Sequence, residues 1–366
     1  MKYSVDIIGT RGYPSYYGGF ETLVRHLAPH LAENGWDVMG YGRHGATALD
    51  DVNRDLRVNT AETWGIESRS LSTLSYGLSS SLRSAKRSPD VALLMNVANG
   101  YWLPALNVRS IPTVLNVDGI EWERAKWGSA AKSVFKIGAK LSTKFADRLI
   151  CDSRNINERW SAEFGRGGDF IPYGGFDPGA LEPLDGLEVG RYALIVARFV
   201  PENSVDEFLA AAATISQKYK VVIVGSSGYG GVIEERVRLL SSHENVSWLG
   251  HVSDDRVLNS LWQNCGVYFH GHSVGGTNPA LVQAMWCGAP TVARDTVFNR
   301  EVLGDAGVFV EPDPSAISQA VLDVLGDRGM QERLGLAAGQ RAQKFYTWES
   351  VCNSYSESLV AAIEGT

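Results

Sequence analysis

Cysteine is scarce. The four residues, Cys151, Cys265, Cys287 and Cys352, form no CxxC pair. Their wide spacing excludes a thiol-rich metal site and a disulfide scaffold, and suits small core residues of a reducing compartment. A basic excess is also missing: 34 Lys and Arg against 41 Asp and Glu give a formal charge of −7. General nucleic-acid binders are basic, so no nucleic-acid partner is expected. No run approaches about eighteen uncharged apolar residues, which argues against a membrane span. The opening, MKYSVDIIGTRG, holds no apolar run of signal-peptide length, so the expected location is cytoplasmic, with contact at the inner face of a membrane left open.

What is present favours two α/β domains. Apolar residues make up 44% of 366, enough for two cores. Short apolar runs at Tyr3–Gly9, Trp36–Tyr41, Asp90–Asn96, Ile111–Val117, Asp147–Cys151 and Asp169–Pro172 read as strands. A helix over Glu21–Glu33 carries Leu23, Leu27 and Leu31 on one face. Strands alternating with helices imply parallel sheets covered on both faces. Residues 173–191, rich in Gly and Pro, read as a linker, so the first domain spans 1–172. Alternation restarts at Tyr192–Ala197 and Tyr219–Gly225, giving a second domain over 192–346. A last helix within 347–366 is free to pack back on the first. Such domains bind ligands at the carboxyl ends of their strands, in a cleft.

Four stretches carry chemistry. The loop GTRGYPSYYGGFET follows the first strand, and it contains neither GxGxxG nor GK[ST]. Gly18 and Gly19 let backbone approach a ligand closely. Arg11 suits a phosphate. Tyr16, Tyr17 and Glu21 suit an acceptor sugar, although Glu21 also suits a first helical turn. The second stretch, residues 268–290, lies within an uncharged run between Arg256 and Arg294. It holds His270, His272, Gly275, Gly276, Thr277 and Asn278 before a helix starting near Pro279. Amides at that start suit a diphosphate. The two histidines have no third ligand nearby, so no metal is expected. Third, Arg198 ends the strand of YALIVARFVPEN and offers a fork to a diphosphate. Its plainer role is a surface ion pair. Fourth, VLNVDGIEWERAKW places Asp118 at a strand end, with Glu121 and Trp122 as candidate lining of an acceptor groove. Beyond it Lys132, Lys136, Lys140 and Lys144 recur at helical spacing before Arg148. That Lys132–Arg148 stripe is either a solvated face or a contact for an anionic membrane or lipid-diphosphate acceptor.

YGGFET, VARFVPEN, HGHSVGGTNPALVQAMWCGAP and NREVLGDAGVFVEP together resemble the retaining GT-B glycosyltransferases of family 4. GTRG-x-P-x-x-YGGFET and VDG-x-EW-x-R-x-KW are similar to a bacterial rhamnosyltransferase-like subgroup. The resemblance implies the GT-B fold, two Rossmann-like α/β domains facing each other across a cleft. It implies a nucleotide-diphosphate sugar (dTDP-, UDP- or GDP-linked) as donor, no required cofactor or metal, and a glycan or lipid-linked saccharide acceptor. Gly18, Gly19 and Arg198 would meet the diphosphate, the Gly275–Asn278 loop the sugar and phosphates, and Glu301 the nucleotide side. Three positions depart from the family pattern. Asn203 stands where many members have lysine, Gln283 where an acid holds the ribose, and Asp118 where many have histidine. A nucleotide-sugar epimerase or phosphorylase on the same fold, or a non-catalytic nucleotide-sugar-binding protein, remains as an alternative.

Overall fold

The computed structural model describes residues 3–16, 18–68, 71–124, 127–228 and 230–365. The chain divides into two compact units, Met1–Tyr173 with Trp348–Thr366, and Gly174–Thr347.

The first unit runs through β1 (Ser4–Ile8), α1 (Gly19–Glu33), β2 (Asp37–Arg43), β3 (Asn59–Thr63), α2 (Ser72–Arg87), β4 (Val91–Met95), α3 (Leu103–Asn107), β5 (Thr113–Asn116), α4 (Ser129–Phe145), β6 (Arg148–Cys151), α5 (Arg154–Phe164) and β7 (Asp169–Phe170). Its strands form one parallel sheet in the order β3-β2-β1-β4-β5-β6-β7. A parallel sheet needs cover on both faces, and β4, VALLM, is buried at every residue. α1 covers part of it with Leu23, Leu27 and Leu31, all buried. Gly35, at φ +83, lets the chain leave α1 through the left-handed region and enter β2.

The second unit holds β8 (Tyr192–Val196), α6 (Val205–Ile215), β9 (Lys220–Val224), α7 (Val232–Leu240), β10 (Val246–Trp248), α8 (Asp255–Asn264), β11 (Val267–His270), α9 (Pro279–Trp286), β12 (Thr291–Arg294), α10 (Val297–Leu303), β13 (Gly307–Val310), α11 (Pro314–Gly326) and α12 (Arg328–Phe345). Its sheet, also parallel, runs β10-β9-β8-β11-β12-β13. Alternate residues of β8 serve opposite faces. Ala193 and Ile195 join Phe208 of α6 and Ile317 of α11. Tyr192 and Leu194 join Leu261 of α8, Leu281 of α9 and Ala338 of α12. Each unit is thus a helix–sheet–helix layering of the Rossmann kind.

The stretch expected as a linker is laced to the second unit. Gln263 of α8 accepts from Leu181 N (2.7 Å) and donates to Gly179 O (2.8 Å). Ser260 donates to Glu182 O (2.6 Å), and Leu184 and Leu187 pack on the core. Lacking a regular period, this segment folds as a strap rather than a tether. The chain then returns in α13 (Trp348–Glu364), whose Val351, Cys352, Tyr355 and Leu359 enter the first unit's core beside Leu23 and Leu27. Asn116 Nδ2 donates to Tyr355 Oη there at 2.6 Å.

Strand order reverses between β1 and β4 in the first sheet and between β8 and β11 in the second. Loops leaving such a pair diverge and leave room for a ligand at their carboxyl ends. The glycine loop leaves β1. Arg198 and His270 lie at β8 and β11.

Candidate active site

In the second unit a polar network joins three strand ends. After β8 the chain tightens, because Arg198 O accepts from Val200 N and from Asn203 Nδ2, both at 2.9 Å. Ser204 follows in left-handed backbone, at φ +51. Its Oγ donates to Gly271 O beyond β11 (2.9 Å) and accepts from Arg294 Nη1 at the end of β12 (3.0 Å). Asn299 Nδ2 reaches both His272 O and Arg294 O, each at 2.9 Å. Gly271 has no substitute, since a Cβ there would lie 2.3 Å from Asn203 O. The loop before α9 is anchored by Ser273, whose N and Oγ both donate to Glu202 O at 2.9 Å. Gly275 takes φ +108, and Asn278 Oδ1 caps α9 by accepting from Ala280 N at 2.9 Å. The Arg198 side chain is exposed and meets no hydrogen-bond or ion-pair partner among the described residues. A positive fork therefore stands at the switch point, beside a loop that bares backbone.

His270 is fully buried, with Nδ1 2.9 Å from Tyr268 Oη and its ring stacked on His272. Burial, with a smaller push from His272, lowers its pKa well below the usual histidine value and keeps it neutral. Among the described residues no group of three or more His, Cys, Asp or Glu is placed to hold a metal ion.

In the first unit the glycine loop folds onto the start of α1. Gly18 is the exposed N-cap, and Glu21 Oε1 accepts from Arg11 N at 3.0 Å. Tyr16 is exposed, with Arg25 stacked 4.1 Å from its ring centre and its hydroxyl donating to Asp51. At the ends of β4 and β5, Asn96 (φ +71) and Asp118 (φ +62) both adopt left-handed backbone. Asn96 Nδ2 donates to Asp118 Oδ2 at 2.8 Å, and Asp118 N donates to Asn116 Oδ1 at 2.8 Å. Asp118 stays partly open to solvent, with Arg124 3.9 Å away.

Residues 187–341 match the family model described as glycosyl transferases group 1, and residues 2–175 match a domain of unknown function, DUF1972. Sucrose-phosphate synthase from Thermosynechococcus elongatus superposes with a TM-score of 0.82 at 18% identity, covering all of both chains. The chain has the GT-B fold, and its second unit matches a glycosyltransferase family. Anabaena Alr3699/HepE, solved with UDP, aligns to this GT-B chain at TM-score 0.76 and 16% identity, over 99% of this chain and 100% of its own. Among curated relatives, O-antigen chain mannosyltransferase B of Escherichia coli is 27% identical over 165 residues. That match spans 43% of this chain and 43% of the relative's length. The glycogen synthase of Mycobacterium tuberculosis is 24% identical over 96% of this chain and 93% of its own.

Within the GT-B framework the expected site residues divide into two groups. Arg198, His272, Gly275, Gly276 and Asn278 gather at the β8–β11 switch, with Thr277 buried among them. Arg11, Tyr16, Gly18, Gly19 and Asp118 sit at the β1–β4–β5 edge of the first sheet, while Tyr17 lies outside the described residues. The structure turns the other candidates elsewhere. Trp122 is buried and packs against Trp160 and Phe164. Glu121 is buried in an ion pair with Arg124 (2.5 Å) and accepts from Trp127 Nε1 (2.9 Å). Glu21 is buried and braces the loop through Arg11 N. Asn203 is buried and holds the turn, and His270 is a core residue. Gln283 gives both amide atoms to Phe176, at 3.2 Å to its N and 3.0 Å to its O, so it clamps the strap. Glu301 lies half-buried in α10, its carbonyl held by Arg341 Nη2 at 2.8 Å. Ser204, Asn299 and Arg294 were not among the expected residues. Only Arg294 carries a signal, as the first charge after the long uncharged run.

Proposed function

We propose that the chain transfers a hexose or deoxyhexose, with rhamnose favoured, from a nucleotide-diphosphate sugar to a growing polysaccharide or lipid-linked glycan. The anomeric configuration is retained and no metal is needed. The observation that carries this reading is the exposed Arg198 at the β8–β11 switch, without a hydrogen-bond or ion-pair partner among the described residues, on the same sheet edge as the Gly275–Asn278 loop before α9. HepE, solved with UDP-glucose on a similar fold, and the O-antigen chain and phosphatidyl-myo-inositol mannosyltransferases among the relatives support it. The sugar choice draws on the YGGFET-type motifs.

As the diphosphate leaves, positive charge builds on the sugar ring and negative charge on phosphate oxygen. Arg198 and the amides before α9 stabilise the leaving oxygen. The acceptor hydroxyl attacks the anomeric carbon from the same face and gives its proton to the departing phosphate. Asp118, in the first unit, orients the acceptor. On α4, Lys136, Lys140 and Lys144 are exposed around the half-exposed Ile137, which suits contact with an anionic membrane surface from the cytoplasmic side. Among the described residues no helix is long and apolar enough to cross a membrane.

The test is a calorimetric or ligand-detected NMR screen of dTDP-, UDP- and GDP-sugars with EDTA present, followed by acceptor assays. One donor should bind without metal, and Arg198→Ala should lose about 100-fold in kcat/KM. Absence of binding to every donor would reject the proposal. A second reading, donor binding without turnover, draws on Gln283 and Asn203, whose amides are committed to backbone partners. A donor that binds but yields no product with any glycan acceptor would favour it.

A further inference from the structure

We propose that Arg294 is a second anion-binding side chain, gripping the donor diphosphate together with Arg198. The inference rests on the donor reading above. Arg294 closes β12, whose neighbour β11 borders β8 in the sheet, so its end lies on the same edge as the β8–β11 switch. The residue is half-buried, and its guanidinium meets one partner among the described residues, Ser204 Oγ at 3.0 Å. Among the described residues no carboxylate pairs with it. The adjacent acid, Asp295, is committed to Arg300 through two bonds at 2.5 and 2.6 Å. A charge held partly out of water without a counter-ion is costly unless an anion completes it.

The supporting framework also fixes the strand end. Ser204 links Arg294 to Gly271, and Asn299 holds both Arg294 O and His272 O. Arg294 is thereby joined through Ser204 to the turn that carries Arg198 and through Asn299 to the loop before α9. Its unused N–H groups suit phosphate oxygens, which arginine binds in a fork. No covalent step is assigned to it.

Calorimetry on the full chain tests this with UDP, dTDP and GDP, the matching nucleosides, and inorganic pyrophosphate. Arg294→Gln keeps an N–H for Ser204 and removes the charge. It should weaken the preferred nucleoside diphosphate and pyrophosphate about tenfold or more, leave the nucleoside unchanged, and flatten the salt dependence. Arg294→Lys should recover part of the loss. Unchanged diphosphate affinity in Arg294→Gln, or an equal loss for nucleoside and diphosphate, would overturn the inference. Failure of the wild type to bind any nucleotide would instead strike the donor reading, while the pyrophosphate arm would still judge Arg294. Should Arg294→Gln fail to fold, side-chain 15Nε spectra of the wild type decide: the Arg294 signal shifts on adding pyrophosphate, and a fixed signal refutes the inference.

Discussion

Asp118 joins backbone geometry to chemistry at one residue. Left-handed backbone costs an ordinary L residue about 1–2 kcal/mol, and Asp and Asn tolerate it best. Asp118→Asn keeps that tolerance and can still accept from Asn96, so its melting temperature should stay near wild type. If the carboxylate orients the acceptor, kcat and the acceptor KM change while donor affinity holds. Asp118→Ala should in addition lose about 1–2 kcal/mol of stability, which denaturant melts of both variants would resolve. Residues at strand ends are readable in the sequence because a polar or glycine-rich stretch follows an apolar run. The positions of Arg198, Asp118 and the Gly275–Asn278 loop after strand ends are read that way. Glu121 and Trp122 mislead, because a carboxylate and an indole beside a strand end look alike in a groove and in a core. Only the contacts with Arg124 and Trp160 distinguish the two.

At the scale of elements, α9 serves the strap as much as the site. Gln283 grips Phe176 at two atoms, Trp286 Nε1 donates to Tyr346 O at 2.9 Å, and Gly175 donates to the same carbonyl at 2.9 Å. A Cβ on Gly175 would meet Trp286 at 2.2 Å. Gln283→Glu replaces an amide donor with an acceptor facing Phe176 O. It should cost roughly 1 kcal/mol, since Phe176 can turn to water, and leave nucleotide affinity unchanged. A gain in nucleotide affinity would return the residue to the ribose role that the family resemblance assigns to its position. The apolar strands and α1 are legible because their periods are strong. The region between β2 and β4 is not. β3, NTAET, is a short edge strand with little apolar content. α2 buries Gly77, Ser80, Ser81 and Ser84, and a Cβ on Gly77 would lie 1.9 Å from Asn99 Oδ1. Close approach of small residues replaces the leucine stripe there, and hydrophobic periodicity is blind to it.

At the scale of the molecule, the first unit is assembled from two chain segments, and the sequence leaves the destination of the last helix open because an amphipathic stripe does not name its partner. One contact that bridges these segments is His26 of α1, stacked on Trp348 of α13 with ring centres 4.1 Å apart. Burial, aided by Arg25, lowers the His26 pKa from 6.5 to about 4. Between those values the unfolded chain takes up a proton that the folded unit refuses. The contribution is therefore complete above about pH 6.5 and drains away as pH falls toward 4, with a slope of up to about 1.4 kcal/mol per pH unit. Burial raises the carboxyl of Asp6 in the same unit, so the comparison with a His26 variant, rather than the window from about pH 6.5 to 5 alone, isolates the histidine. His26→Phe keeps a ring against Trp348 and removes the proton site. Hydrogen exchange of the α13 amides reads this unit directly, without assuming that a two-unit chain melts in one step. Across that window α13 protection should fall more steeply in the wild type than in His26→Phe. Equal slopes in the two proteins would mean that His26 takes its proton without leaving Trp348, and that α13 is held by Val351, Tyr355 and Leu359 alone.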